Sequence, residues 1–169
     1  MSEVRFRKIE TRNIAELIEI AESTGLSHWS AQNYIDEQKN PNAIMLRLED
    51  ESNSTIGFIV GRIVPASDDE LEVDAEIYNI AVVETDQRQG NGQLLLDEFI
   101  RNCLVSNVRH LWLEVRASNE KALAFYTSNG FSPITRRRDF YNDPVEDAIL
   151  MRLDGIGEKT LSQDKISLD

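Results

Sequence analysis

The glycine-containing stretch at residues 87–92 constrains the fold of this chain more than any other part of the sequence. It follows an apolar run at residues 78–83 and precedes a segment in which Leu94, Leu95 and Phe99 recur at helical spacing. A strand that passes through a glycine turn into a helix gathers free backbone N–H groups around one point, and these groups, with the helix dipole, hold a phosphate. The stretch therefore predicts a site for a phosphorylated ligand. The alternative is a turn that uses glycine only for its positive φ.

The spacing of the glycines decides which phosphorylated ligand is expected. Nicotinamide-binding proteins need G-x-G-x-x-G, and P-loop proteins need G-x-x-x-x-G-K-[ST]. Neither pattern fits, because only Gly90 and Gly92 are present and Gln93 follows them. The stretch instead resembles Q-x-x-G-x-G, the pyrophosphate loop of the GCN5-related N-acetyltransferases, which bind acetyl-CoA.

The composition is that of an ordinary globular protein. The chain has 169 residues, of which 41% are hydrophobic, so we expect one domain over residues 1–153 and a polar, mobile tail at residues 154–169. No apolar run reaches the roughly 18 residues of a membrane helix, and the N-terminal residues lack the apolar segment of a signal peptide. We therefore expect a cytoplasmic protein that does not bind membranes.

The charge and the metal-ligating residues argue against two further classes of protein. A formal net charge of −12 disfavours nucleic-acid binding, which needs a basic surface. This charge leaves room for a cationic substrate, although simple solubility also explains it. The single Cys103 excludes an internal disulfide, and with only His28 and His110 beside it no cluster has metal-ligand spacing. No metal is expected.

The hydrophobic pattern predicts the element order β-α-α-β-β-β-α-β-α-β-β, which indicates a mixed α/β sheet with helices on its faces. An Asn13–Glu16 capping box starts the first helix, Gly25 ends it, and Ser30 caps the second helix, at residues 31–38. The other helices are expected after the glycine stretch and at residues 119–128, before Gly130. The predicted strands are residues 4–9, 43–48, 55–64, 71–83, 109–115, 131–138 and 148–153.

The strand before the glycine stretch changes its pattern partway along. Acidic side chains occupy one parity, and the apolar Ile80 and Val82 then continue on that same parity. Either both faces are buried, or a bulge near Asn79 shifts the phase and leaves backbone groups free for a ligand. The acidic residues of this region, which can attract a basic peptide, are Asp68, Asp69, Glu70, Glu72 and Asp74.

Two side chains are candidates for proton transfer. Glu114 lies inside an apolar strand, where a carboxylate must be paired, lie near an open cleft or have a raised pKa, and such a group can act as a general base. Alternatively, Glu114 forms a structural ion pair with Arg116 or Lys121, or lies at a strand end that faces the solvent. Tyr126 lies on the following helix. Its alternative role is that of a core residue whose hydroxyl lies at the surface.

Several segments together resemble the ribosomal-protein-alanine N-acetyltransferases of the RimI type, a subfamily of the GCN5-related N-acetyltransferases (GNAT). These segments are residues 79–82, 87–92, the run LWLEVRASN at 111–119, and residues 124–131, 137–141 and 146–151. The resemblance implies the GNAT fold, a largely antiparallel sheet of six or seven strands with about four helices. In that fold the sheet splays open between its fourth and fifth strands, and acetyl-CoA enters the opening.

The resemblance also implies residue roles. Glu114 is the expected general base and Tyr126 the expected general acid, while the backbone of residues 80–82 pairs with the pantetheine arm and residues 88–93 hold the pyrophosphate. The residues assigned to acetyl-CoA in this way are Ile80, Ala81, Val82, Arg88, Gln89, Gly90, Asn91, Gly92, Gln93 and Asn119.

The chemistry explains why such residue types are needed. A peptide α-amine, with a pKa of about 7.7 to 8.0, is largely protonated at neutral pH, so a base must remove its proton before it attacks a thioester. The strand backbone can donate to the oxyanion, and the departing thiolate takes a proton from the tyrosine. The acetyl group passes directly to the amine, so no nucleophilic residue is required.

The implied function is transfer of an acetyl group to a protein N-terminus, such as the N-terminal alanine of a basic small-subunit ribosomal protein. Two alternatives remain open: an acetyltransferase of a small amine such as a polyamine or antibiotic, and a non-catalytic acyl-CoA-binding module. The segment before Trp29, Phe140 and Asn91 depart from the residues usual in the subfamily. The first two lie where the family shapes its acceptor site, so the cofactor is better specified than the acceptor. The sequence does not indicate an oligomeric state.

Overall fold

The predicted order of helices and strands is confirmed. The computed structural model describes residues 3–26, 28–69 and 71–156. The strands are β1 (Arg5–Lys8), β2 (Ala43–Glu49), β3 (Thr55–Pro65), β4 (Val73–Val82), β5 (Leu111–Arg116), β6 (Ser132–Asn142) and β7 (Val145–Leu153). The helices are α1 (Ile14–Ser23), α2 (Ala31–Gln38), α3 (Asn91–Val105) and α4 (Glu120–Ser128), and short 3₁₀ turns occupy Thr11–Asn13 and Glu84–Asp86.

The strands form one seven-stranded sheet in the order β1-β2-β3-β4-β5-β7-β6. β4 and β5 run parallel, and the pairs β1–β2, β2–β3, β5–β7 and β6–β7 are antiparallel. The parallel pairing covers only Ala75 to Ile77 against Leu111 to Leu113, although β4 continues to Val82 and β5 to Arg116. The predicted mixed, largely antiparallel sheet is therefore confirmed.

The chain divides into two compact units, which are described separately. The first unit comprises residues 1–63 and 78–103, and the second comprises residues 64–77 and 104–169, each within the described ranges. The prediction of a single domain over residues 1–153 stays a prediction. Within the described part of the chain, no helix combines the length and the apolar character needed to cross a membrane.

Each unit buries its own apolar side chains. In the first unit Leu17, Phe58 and Phe99 are fully buried, and α3 turns Leu95, Leu96 and Cys103 inward. Leu94 is 37% exposed, so the inward stripe of α3 runs through Leu96 instead. In the second unit, the side chains that are at most 1% exposed include Leu111, Ala148, Met151, Leu153 and Ile156.

The start of α1 differs from the prediction. The Asn13–Glu16 capping box is wrong: Asn13 makes no cap to α1, and its Oδ1 accepts from the Glu10 N–H at 3.0 Å in the preceding 3₁₀ turn. The Glu16 carboxylate instead accepts from the Thr55 N–H at 3.1 Å and from the Thr55 hydroxyl at 2.7 Å. The Glu16 carboxylate is thus bonded to a distant strand and not to the N-terminus of α1. The Ser30 cap of α2 is confirmed by its 3.2 Å bond from the Asn33 N–H.

The strand before the glycine stretch is shorter than predicted. β4 begins at Val73, because Leu71 lies in a turn held by the Asp69 carboxylate and is 94% exposed. Burial then alternates without a phase shift from Ala75 to Ala81, while Ile80 is only half-buried, which favours partial burial on both faces over a bulge. β6 extends to Asn142 and β7 starts at Val145, so the last hairpin is longer than predicted. Glu70 and tail residues 157–169 lie outside the described residues.

Candidate active site

The loop between β4 and α3 adopts the conformation that its glycines predict. Gly90 has a φ of +86°, and Arg88, which is not glycine, has a φ of +60°. Left-handed φ values of this kind turn the chain sharply, and α3 starts directly afterwards at Asn91. The strand, the turn and the helix N-terminus therefore follow one another within the first unit, as the sequence indicates.

Three side chains hold this loop in place. The Gln87 amide donates to the Val82 carbonyl at 2.9 Å, the Asn91 amide donates to the Asp86 carbonyl at 2.9 Å, and the Gln89 amide donates to the Thr85 carbonyl at 2.9 Å. The first two bonds are partly buried and the third is exposed. The glutamine that opens the Q-x-x-G-x-G motif thus fastens the loop to the end of β4. The motif alone did not reveal this role.

The backbone N–H groups of the loop point to an anion site. From residue 88 to residue 93, all of which are described, no backbone N–H donates to a protein acceptor, whereas the Gln87 and Leu94 N–H groups on either side are bonded. Unpaired donors at the start of a 15-residue helix, next to its positive dipole end, suit a pyrophosphate. The sequence-predicted residues Arg88, Gln89, Gly90, Asn91, Gly92 and Gln93 all lie in this segment.

The end of β4 carries the other residues expected at the cofactor, Ile80, Ala81 and Val82. Its neighbour Asn79 is 4% exposed, and its side-chain amide nitrogen has no hydrogen-bond partner among the described residues. A Cβ at Gly57 on β3 would lie 2.8 Å from the Ala81 carbonyl oxygen, so that glycine lets the two strands lie close together. The orphaned amide next to residues 80–82 is a polar group to which a bound ligand could bond.

Glu114 is paired, and its pKa is raised. It lies on β5 in the second unit with a side chain that is 24% exposed. Burial raises the pKa of this carboxyl, the guanidinium of Arg137 opposes that shift, and the charge of Glu76 on β4 adds to it. A carboxylate with a pKa closer to neutrality is better matched to proton transfer.

The ion-pair partner of Glu114 differs from the two residues that the sequence suggested. Arg137 on β6 bonds to the Glu114 Oε1, from 23 positions away in the chain. Arg116 instead donates to the Glu146 carboxylate at 3.3 Å and to the carbonyls of Asp143 and Pro144, and Lys121 makes no ion pair in the described part of the chain. The turn between β6 and β7 presents several acceptors to Arg116 at once, and this explains the difference.

Tyr126 is both a core residue and a chemical candidate. It is 6% exposed, and its ring packs edge-on against Phe125 and Phe131 with centroids 5.3 and 5.4 Å apart. Burial raises the pKa of its hydroxyl, and Tyr141 adds to the shift. The hydroxyl therefore stays protonated at neutral pH, which is the state that a proton donor needs.

Tyr141 is a further candidate residue, which the sequence did not single out. Burial raises the pKa of its hydroxyl, and the charge of Glu114 raises it further, while Arg116 opposes the shift. The Arg116 guanidinium lies 4.1 Å from the centre of the Tyr141 ring. Tyr141 thus lies close enough to both Glu114 and Tyr126 to affect their titration. Only its place in the long last hairpin could have drawn attention to it.

Asn119 has a structural role as well as the expected one. Its Oδ1 accepts from the Ala122 N–H at 3.1 Å and caps α4 in the second unit. Its side-chain amide N–H groups make no hydrogen bond within the described residues. The cap fixes the side chain, so an amide donor is held at the start of the helix that carries Tyr126.

The acidic residues around the start of β4 are partly accounted for by internal bonds. Asp74 is 2% exposed and accepts from the Trp112 indole N–H at 2.8 Å and from the His110 N–H at 3.2 Å. Asp68 bonds to Arg109, and this bond lowers the pKa of the Asp68 carboxyl. Asp74 therefore stabilises the second unit and is not part of a surface that attracts peptides.

The positions that depart from the residues usual in the subfamily are the segment before Trp29, Phe140 and Asn91. Trp29 packs against Tyr34 and Tyr78 at ring distances of 5.2 and 5.7 Å, beside a cavity of about 270 Å³ in the first unit. Asp36 and the buried Glu37 also line this cavity. Phe140 is 41% exposed and lies 5.4 Å from the Arg137 guanidinium. Asn91 is buried at the start of α3, where its bond to the loop explains why a polar residue replaces an apolar one.

The two proton-transfer candidates lie in one unit, whereas the residues expected at acetyl-CoA are divided between both units. The loop and residues 80–82 belong to the first unit, and Glu114, Asn119 and Tyr126 belong to the second. No group of three or more His, Cys, Asp or Glu side chains within the described residues is arranged to hold a metal ion. Cys103 is buried, and burial raises the pKa of its thiol to about 12, so it is a packing residue.

The comparison with protein families agrees with these features. The family model for the acetyltransferase (GNAT) family matches residues 11–131. The chain belongs to this family.

Two relatives and one solved structure carry the name of a ribosomal-protein-alanine N-acetyltransferase. The [ribosomal protein bS18]-alanine N-acetyltransferase of Haemophilus influenzae is 34% identical over 147 residues, which are 85% of this chain and 94% of that protein. The protein of the same name from Escherichia coli strain K12 is 49% identical over 82 residues, 47% of this chain and 55% of the relative, so the chain spans about half the length of that relative. The crystal structure of the ribosomal-protein-S18-alanine N-acetyltransferase from Escherichia coli superposes with a TM-score of 0.76 at 32% identity, covering 90% of this chain and 94% of the other. The predicted fold class is confirmed.

Proposed function

We propose that this protein transfers the acetyl group of acetyl-CoA to the α-amine of a protein N-terminus. The unpaired backbone N–H groups of residues 88–93 are the observation that carries the cofactor assignment, because they provide several donors for a pyrophosphate. The acceptor class rests on the relatives named as alanine N-acetyltransferases, one of which aligns over 85% of this chain.

The first unit supplies the residues proposed to bind acetyl-CoA. The N–H groups of residues 88–93 bind the pyrophosphate. The hydrogen bond from the Gln87 amide to the Val82 carbonyl keeps these groups in position before the ligand binds. The backbone of Ile80, Ala81 and Val82 and the unpaired amide of Asn79 face the pantetheine arm. Bound acetyl-CoA supplies the acetyl group as a thioester.

The second unit supplies the residues proposed to move protons. Glu114 takes the proton from the protonated α-amine, directly or through a water molecule, so that the amine nitrogen has a lone pair for attack. Tyr126, held protonated by burial, gives its proton to the departing thiolate. The Asn119 amide donates to the cofactor. Because the amine attacks the thioester directly, neither Cys103 nor any other nucleophile of the chain takes part.

The proposed acceptor is a protein N-terminus that is rich in basic residues. The formal net charge of −12 attracts cations over a distance of about one Debye length, roughly 8 Å at physiological salt. The relatives are named for ribosomal protein bS18. The N-terminal peptide of a basic small-subunit ribosomal protein is therefore the first acceptor to test.

The function is tested with a panel of peptides that differ in their first residue, each with acetyl-CoA. Fragment masses locate the acetyl group, and the same peptides with a blocked α-amine are the matched controls. We expect acetylation of the free α-amine and none of the blocked peptide. Faster turnover of spermidine would favour a small-amine acetyltransferase, and CoA binding without turnover of any amine would favour a non-catalytic acyl-CoA-binding module.

A further inference from the structure

Two arginines lie near the proposed base, and they are held very differently. Arg116 is 20% exposed and is held by Glu146, by the carbonyls of Asp143 and Pro144 and by the Tyr141 ring. Arg137 is 51% exposed, and its contacts within the described residues are the bond to Glu114 and the Phe140 ring at 5.4 Å. Arg116 is thus a fixed cation, whereas Arg137 can leave at the expense of one ion pair.

The register of the second unit explains how Arg137 reaches the base. β7 lies between β5 and β6, where Arg137 pairs with Ala148 and Glu114 pairs with Leu150. The arginine must therefore cross β7 diagonally to bond to Glu114. The residue beneath its path is Ala148. It has the smallest side chain of β7 and is fully buried.

The charges around Glu114 favour replacement of Arg137 by another cation. Glu76 on β4 is opposite Trp112, two residues before Glu114, and its negative charge acts on Glu114. Tyr141 on β6 is neutral while its hydroxyl is protonated, and Leu150, the residue opposite Glu114 on β7, is uncharged. Glu146, which is opposite Tyr141 on β7, is paired with Arg116. The Glu114 carboxylate therefore needs a cation in the place that Arg137 leaves, and an ammonium group supplies one.

We propose that Arg137 is a positioning residue that keeps Glu114 ionised and in place in the amine-free protein, and that the ammonium group of the acceptor replaces it at the Glu114 carboxylate. This inference rests on the proposed function of Glu114 as the base. One cation is exchanged for another at the same carboxylate, so the charge of the base stays compensated throughout. When Glu114 then takes the proton of the ammonium group, the amine becomes neutral and the carboxyl becomes neutral.

The exchange predicts a difference between two pH profiles. The profile of kcat/KM reports the free protein, in which Arg137 is on the base, and the profile of kcat reports the amine complex, from which it has left. In Arg137→Met, which keeps the length of the side chain but not its charge, the acidic limb of kcat/KM moves up by about 1 pH unit, the low end of the effect of an adjacent arginine because the pair is half-exposed. The acidic limb of kcat stays where it is.

Two further variants separate the pair from a general effect of charge. Arg138→Met removes a positive charge from an exposed neighbour that makes no ion pair within the described residues, so neither limb should move. Arg137→Lys keeps the charge and should return the kcat/KM limb toward its original position. The acceptor amine titrates identically in all these reactions and cancels from the comparison.

Each outcome decides for or against the exchange. An unmoved kcat/KM limb in Arg137→Met, an equal shift of both limbs, or the same shift in Arg138→Met overturns it. An NMR titration of the Glu114 carboxyl in the original protein and in Arg137→Met tests the pair without turnover, and its pKa must rise in the variant. If no peptide is acetylated, the proposed function fails, whereas the NMR result still shows whether Arg137 controls the charge of Glu114.

Discussion

The hydrogen bond from the Gln87 amide to the Val82 carbonyl leads to a quantitative prediction about CoA binding. The loop contains two left-handed residues, Arg88 and Gly90, and the Gln87 amide fastens it to β4 by a partly buried bond of 2.9 Å. Such a bond contributes a net 0.5 to 1.5 kcal/mol, about 1 kcal/mol at the centre of the range. In Gln87→Ala the loop is no longer held in place before CoA binds, so the free energy needed to order it weakens binding.

The expected effect is a weaker affinity of a definite size. Since about 1.4 kcal/mol corresponds to a tenfold change, the loss of about 1 kcal/mol raises the Kd for CoA about fivefold, within limits of about 2- and 13-fold. Isothermal titration calorimetry with CoA measures this change in the absence of turnover. A binding measurement is preferable to an activity assay because it does not depend on the acceptor.

The matched control is the neighbouring glutamine. The Gln89 amide donates to the Thr85 carbonyl at the same 2.9 Å, but that bond is exposed, so water can replace it. Gln89→Ala should therefore change the Kd by less than about twofold. An unchanged Kd in Gln87→Ala, or an equal change in both variants, would show that the hydrogen bond from Gln87 to Val82 does not preorganise the loop.

Three further variants test the remaining assignments. Glu114→Gln should lower kcat/KM by on the order of 10² or more with the Kd for CoA unchanged, and a loss below about tenfold would argue against a general base. Tyr126→Phe keeps the ring packing and removes only the hydroxyl, so the thermal midpoint should hold while kcat falls; an unchanged kcat would exclude it as the acid. Asp74→Ala leaves the Trp112 indole N–H and a backbone N–H unpaired and should lower the free energy of unfolding by about 2 to 4 kcal/mol in urea titrations. The exposed Asp69→Ala is its control, and equal losses in the two variants would contradict the role of Asp74.

Local chemistry was largely readable from the sequence. The positive φ of Gly90, the Ser30 cap and the amphipathic α3 each depend on residues within a few positions of one another. Spacing alone encodes such interactions, because helix and turn contacts recur at fixed short separations. The anomaly of Glu114 was also visible, since a carboxylate in an apolar strand needs an explanation wherever its partner lies.

The partners themselves came from distant parts of the chain. Glu16 bonds to Thr55 across 39 positions, Asp74 to Trp112 across 38, and Glu114 to Arg137 across 23. For Glu16 and Glu114 the sequence suggested partners nearer in the chain, and for Asp74 it suggested none. No periodic pattern in the sequence favours the distant partners that the structure shows. The choice depends on which strands are neighbours and in which register they pair.

By itself, the sequence determined the order of the elements and the glycine turn between β4 and α3, and it identified Glu114 and Tyr126 as candidates for proton transfer. Only the tertiary structure decided that the loop is fastened by Gln87, that Tyr141 lies close to both proton-transfer candidates, and that Glu114 is paired with Arg137. The reason is physical: backbone conformation follows from local sterics and hydrogen bonds, whereas the charge state of a side chain is set by whatever the fold brings within a few ångströms of it.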